Sequence, residues 1–111
     1  MAIYDLYGTR VESLDQLLGP LSVVLGITWE ERESDYRGVY HRASAVAYGG
    51  KDLVLQSNRL TDEDGDYFQV PEYPDYGLLL FVNRCTGADE VRDRLAAGLP
   101  EWAFLRRKII D

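Results

Sequence analysis

A chain of 111 residues has room for one domain of ordinary size, with a core that takes roughly two thirds of the unfolded surface out of water. Its 46% hydrophobic content excludes a disordered chain, and 19 acidic against 12 basic residues, a net charge of -7, argue against a nucleic-acid partner, whose phosphates the surface would repel. One cysteine excludes an internal disulfide, no apolar run approaches the ~18 residues of a membrane span, and the N-terminus shows no secretory pattern, so a cytoplasmic protein without membrane contact is expected.

The first element is a strand over Ile3 to Tyr7, rich in apolar and β-favouring side chains. A helix follows, opened by a capping box from Ser13 to Gln16 and carrying Leu14, Leu17, Leu18, Leu21 and Leu25 on one face. Pro20 should kink or divide it after Gly19, and Gly26 is its natural stop. Ile27 to Glu33 alternates as a strand, with Ile27, Trp29 and Glu31 on one side and Thr28, Glu30 and Arg32 on the other. Ser34 and Asp35 mark a turn, Arg37 to Tyr48 a second strand in which Gly38 allows a bulge or a close backbone approach, and Gly49-Gly50 a hairpin into the strand at Leu53 to Leu55.

Asp64-Gly65 predicts another tight turn, followed by a short edge strand from Tyr67 to Val70 and an irregular stretch around Pro71 and Pro74. Leu78 to Val82 is apolar in both phases, the pattern of a strand buried on both faces. A second helix starts at a weaker capping box, Thr86 to Asp89. It buries Val91, Leu95 and Leu99, pairs Glu90 with Arg94, and ends at Gly98 and Pro100. Phe104 to Ile110 is the last strand. The order implies an α+β domain spanning residues 1–111: a mainly antiparallel sheet of five to six strands with two helices on one face.

Two segments concentrate polar chemistry. Between Asp62 and Tyr76 lie six carboxylates (Asp62, Glu63, Asp64, Asp66, Glu72 and Asp75), four aromatic rings and no base, so nearly all the excess negative charge is local. Such a surface suits capture of a basic partner, with carboxylates steering the encounter and Tyr67 and Tyr73 as close-range anchors. The same residues also fit a solvated loop that keeps the chain soluble. The second segment runs from Trp29 to Arg42. Pairing across Ser34-Asp35 would bring Glu31 and Glu33 toward Arg37, His41 or Arg42, either as structural ion pairs or as a ligand-binding or acid–base site.

Metal and cofactor chemistry lacks its residues. One histidine and one cysteine cannot supply a zinc site, and Asp62 to Asp66 departs from the calcium-loop spacing, with Tyr73 where the twelfth-position glutamate belongs. No phosphate-cradling glycine pattern or nucleophile elbow occurs. Cys85, after an apolar run, reads as a small buried hydrophobe. Arg106, Arg107 and Lys108 read as cations that line a strand or balance acids within the molecule.

Residues Leu25 to Tyr40 (LGITWEERESDYRGVY) resemble small standalone bacterial proteins grouped with polymorphic-toxin immunity proteins: a helix ending in Leu-Gly, a charged strand and a Glu-Ser-x-Tyr-Arg-Gly-x-Tyr turn, in an acidic chain of this length. The resemblance implies a protein that inhibits by binding, with no catalytic residue and no cofactor. The expectation is therefore an immunity-type protein that occludes a cognate toxin with a basic surface, such as a nuclease. Asp62, Glu63, Asp64, Asp66, Tyr67 and Tyr73 would form the contact, with Glu30 and Tyr36 as secondary contacts. The alternatives are an enzyme or small-ligand-binding domain using Glu31, Glu33, His41 and Arg42, and an oligomerising adaptor module.

Overall fold

The computed structural model describes residues 2–35 and 37–110. Its elements run β1 (Ala2–Thr9), α1 (Asp15–Leu25), β2 (Glu30–Ser34), β3 (Gly38–Ser44), β4 (Asp52–Ser57), β5 (Arg59–Asp62), β6 (Gly65–Phe68), β7 (Leu78–Asn83), α2 (Ala88–Gly98) and β8 (Ala103–Ile110). Six strands form one antiparallel sheet in the order β2-β3-β4-β7-β1-β8, while β5 and β6 pair as a separate ribbon. The expected α+β class and the β2-β3-β4 meander are both present.

The two-residue period of a strand decides which side each residue serves. Ile3 and Tyr7 of β1, Leu53 and Leu55 of β4, and Leu78, Leu80 and Val82 of β7 meet α1 and α2 in the main core. In the opposite phase, Leu6 and Leu79 pack with Phe81 under Val70, Tyr73 and Tyr76 on the other face. β7 has apolar residues in both phases because each phase enters a core.

In α1, Leu17, Leu21 and Leu25 recur one turn apart and are buried. Each contributes about 2 kcal/mol by leaving water, which outweighs the one hydrogen bond forfeited at Pro20. The helix accordingly runs through Pro20 undivided, and the carbonyl left without that N–H belongs to Gln16, an exposed residue of the first turn. Gly26 ends it in the left-handed conformation (φ 65), its N–H bonded to the Ser22 carbonyl.

Neither expected capping box forms. Leu14 at the start of α1 already has helical angles, and no side chain closes that end. At α2 the Thr86 hydroxyl donates to the Gly49 carbonyl, and Asp89 is taken by Arg107. Strand β2 begins three residues later than expected. Its lead-in is held by α1 instead, with Ile27 buried in the core and Trp29 Nε1 donating to the Leu18 carbonyl at 3.1 Å. Strand β3 stops at Ser44, and a 3₁₀ turn at Val46–Tyr48 buries the Tyr48 ring, whose hydroxyl donates to the Leu25 carbonyl. Gly38 pairs with Ser34 at the β2–β3 turn rather than forming a bulge. Among the described residues no helix is long and apolar enough to cross a membrane.

Candidate functional site

The acidic segment divides into two parts with different jobs. Its first part is the β5–β6 ribbon, in which Arg59 pairs with Phe68, Leu60 with Tyr67, Thr61 with Asp66 and Asp62 with Gly65. The turn is built by short-range chemistry: Asp62 Oδ1 accepts the Asp64 N–H at 2.8 Å, and Gly65 takes φ 112, which a side chain would strain. Thr61 donates its hydroxyl to Asp66 Oδ1 at 2.6 Å. Asp62, Glu63, Asp64 and Asp66 are exposed, and none pairs with a cation among the described residues. Tyr67 is the exposed ring beside them, while Phe68 is half-buried under the Arg59 guanidinium, 5.9 Å from its centroid.

The second part, residues 69–77, is a cover for the sheet. Val70, Tyr73 and Tyr76 turn inward onto Leu6, Leu79, Phe81 and Leu105. The Tyr73 hydroxyl donates to the Leu105 carbonyl at 3.3 Å, so this ring is engaged within the molecule. Glu72 reaches Arg106 at 3.6 Å. Between ribbon and cover is a hollow of about 240 Å³, with Arg59, Phe68, Asp75 and Tyr76 in its lining.

One buried residue fixes both parts. Asn58, fully buried between β4 and β5, donates from Nδ2 to the Tyr73 and Tyr76 carbonyls, each at 2.9 Å, and accepts the Val70 N–H on Oδ1 at 2.9 Å. Its own N–H donates to Gly77 and its carbonyl accepts from Gln69. The foot of the ribbon is thereby tied to both ends of the cover. In the sequence Asn58 looks like an ordinary turn residue, and nothing marks its partners.

The remaining candidates are spread out. Glu30 lies at the far end of β2 from its turn, exposed and paired with Arg32 at 3.1 Å. Tyr36 lies outside the described residues. The pleat separates the second constellation: Glu31 stands opposite His41 on the side that His41 shares with Leu55 of the core, and Glu33 stands opposite Val39. Arg42 points to the other face, where Asp52 accepts its Nε at 3.0 Å. Arg42 is therefore separated from Glu31, Glu33 and His41, which share one face. His41 Nδ1 is buried without a hydrogen-bond partner among the described residues.

A charge cluster that the sequence reading missed lies between β1, β8 and α2. The Asp5 carboxylate is fully buried and holds Arg107 in two bonds of 2.8 and 2.9 Å, and Arg107 reaches Asp89 at 2.8 Å. The hydrogen bond to Asp5 raises the guanidinium's affinity for its proton against the cost of burial, with Asp89 adding to it. A readable signal existed: Asp5 occupies the inward phase between Ile3 and Tyr7, where a charge requires a partner. The expected roles of the 106–108 cations are met by Arg106 and Arg107, which neutralise Glu72, Asp5 and Asp89. Comparison of the chain with protein-family models, with curated proteins and with solved structures finds no match.

Proposed function

We propose that this protein is a non-enzymatic, immunity-type inhibitor that binds a cationic toxin, such as a nuclease, through the β5–β6 ribbon. The observation that carries the reading is the set of four exposed carboxylates without cation partners among the described residues, Asp62, Glu63, Asp64 and Asp66, on a ribbon tied down at Asn58. Unpaired acids on an ordered support present charge without the conformational cost of a loose loop. Their field steers a basic surface, and Tyr67 supplies an amphipathic ring at contact. The sequence resemblance over Leu25 to Tyr40 supports the same class.

The test is stopped-flow association with a cognate cationic toxin domain. Asp64→Lys with Asp66→Lys is expected to slow association roughly tenfold at low salt and to flatten its salt dependence. Asp93→Lys, on α2 and so across the sheet from the 69–77 cover, serves as the control and should leave the rate near that of the wild type. Equal slowing by both variants, or by neither, would place the interface elsewhere.

A further inference from the structure

β8 forms one rim of the main sheet, and most of its outward edge is open. The opposite rim, β2, is five residues of Glu-Glu-Arg-Glu-Ser, a short charged edge of the kind that discourages pairing. β8 is eight residues long. Its early part is occupied: Leu105 is the extra residue where the β1–β8 register shifts, and its carbonyl accepts the Tyr73 hydroxyl. From Arg106 to Ile110, among the described residues, the backbone of β8 pairs only with β1.

The two faces of this open length differ in chemistry. Arg106, Lys108 and Ile110 border a hollow of about 220 Å³ on the face of the sheet opposite the helices, beside Leu6 and Phe81. Arg84 stands beside it. It is the one non-glycine residue with positive φ (56) among those described, a strained conformation, and its Nε donates to the hydroxyl of Tyr4, which lines the hollow. Lys108 has no carboxylate partner among the described residues, and Arg106 has only the solvent-exposed Glu72 at 3.6 Å. On the other face Arg107 is already neutralised, and Ile109 is 56% exposed.

We propose that the Arg106–Ile110 edge of β8 takes up an extended segment of another protein by strand addition. That segment alternates acidic side chains, set beside Arg106 and Lys108, with aliphatic ones, set beside Ile109. Backbone hydrogen bonds to the open edge supply affinity, and the two alternating faces supply selection. Charge complementarity decides the occupant. A second copy pairing antiparallel about Lys108, the middle of this length, would set Lys108 against Lys108 and Arg106 and Arg107 against Ile110 and Ile109, with no acid opposite any cation, between two chains that each carry -7. The proposal rests on β8 and is independent of the ribbon's role.

The probe is a short capped peptide alternating Glu and Val, titrated into the 15N-labelled protein. Saturable amide shifts confined to residues 106–110 and their neighbours on β1, with slowed hydrogen exchange in β8, are expected. Lys108→Glu should weaken binding roughly tenfold. The same peptide N-methylated at alternate residues, and a Lys–Val counterpart, should not bind. Because those two peptides use the wild-type protein, a folding defect in the variant cannot obscure the answer. Absence of binding at millimolar peptide, shifts centred elsewhere, or equal binding by the N-methylated or Lys–Val peptide overturns the proposal. Dimerisation through β8 in the absence of peptide overturns it in favour of a second copy.

Discussion

Replacing Asn58 by alanine should cost far more than a surface turn residue normally does. The side chain makes three hydrogen bonds of 2.9 Å, to the Tyr73 and Tyr76 carbonyls and from the Val70 N–H. Tyr73's carbonyl keeps the Tyr76 N–H at 3.3 Å, but the Val70 N–H is left without its acceptor in a buried residue. Three bonds at a net ~1 kcal/mol each give a loss of about 3 kcal/mol, with the stranded N–H pushing the figure upward. Against a total stability of ~5–15 kcal/mol this is a large fraction. For a chain of this size it corresponds to a fall in Tm of roughly 12 °C. Asn58→Asp should be worse, since it replaces both donors with a carboxylate facing two carbonyl oxygens. Urea unfolding gives the magnitude, and hydrogen exchange at Gln69 and Val70 shows whether the cover opens ahead of the rest. A loss below ~1 kcal/mol in both variants, with exchange at those amides unchanged, would refute the anchoring role.

The Asp5–Arg107–Asp89 cluster, built on the fully buried Asp5 carboxylate, predicts strong coupling. Arg107→Met leaves the Asp5 carboxylate buried and unpaired, which should cost about 3–5 kcal/mol in denaturant unfolding, and adding Asp5→Asn should recover part of it. A double variant as unstable as the sum of the two singles would show the groups to be independent. Burial pushes the Cys85 thiol up to about 11, with Asp5 and Asp52 adding to the effect, against an ordinary value of 9.0. The folded chain then holds a proton that the unfolded thiol releases. This contribution to stability is intact below about pH 9 and lost as pH rises toward about 11. Unfolding free energies from pH 8 to 11 should fall more steeply for the wild type than for Cys85→Ala, and parallel curves would contradict this.

What the sequence shows depends on whether a residue's job is set locally. The leucine spacing of α1 and the unbroken run of β7 carry their own structural signals, and both elements form where those signals lie. The ribbon is different. Arg59–Asp62 has little apolar patterning, and its partner is β6 rather than the main sheet, so β5 was invisible until pairing was known. Tyr67 and Tyr73 look alike in the chain, yet one is exposed and the other packs into the smaller core. Grouping Arg42 with His41 failed for a plain geometric reason: neighbours on a strand face opposite sides, and Arg42 found Asp52 there. Asn58 was hidden for the same underlying cause, since its side-chain partners lie 12 to 18 residues away.

The distribution of charge within the fold bears on function more than its total. At physiological salt a charge is felt over roughly 8 Å, so an approaching protein meets the local cluster and not the net -7. The ribbon acids and the cations along the β8 edge therefore act as two surfaces of opposite sign. Their mutual attraction does not fold one onto the other. An exposed ion pair gains ~0–1 kcal/mol, whereas swinging the ribbon over would break the Asn58 bonds and lift Val70, Tyr73 and Tyr76 off Leu6 and Leu79. Packing thus holds the carboxylates away from the molecule's own cations. Among the described residues that separation leaves the ribbon acids and Lys108 without internal ion partners, which is the charge that the proposed basic partner and the proposed acidic strand would each meet.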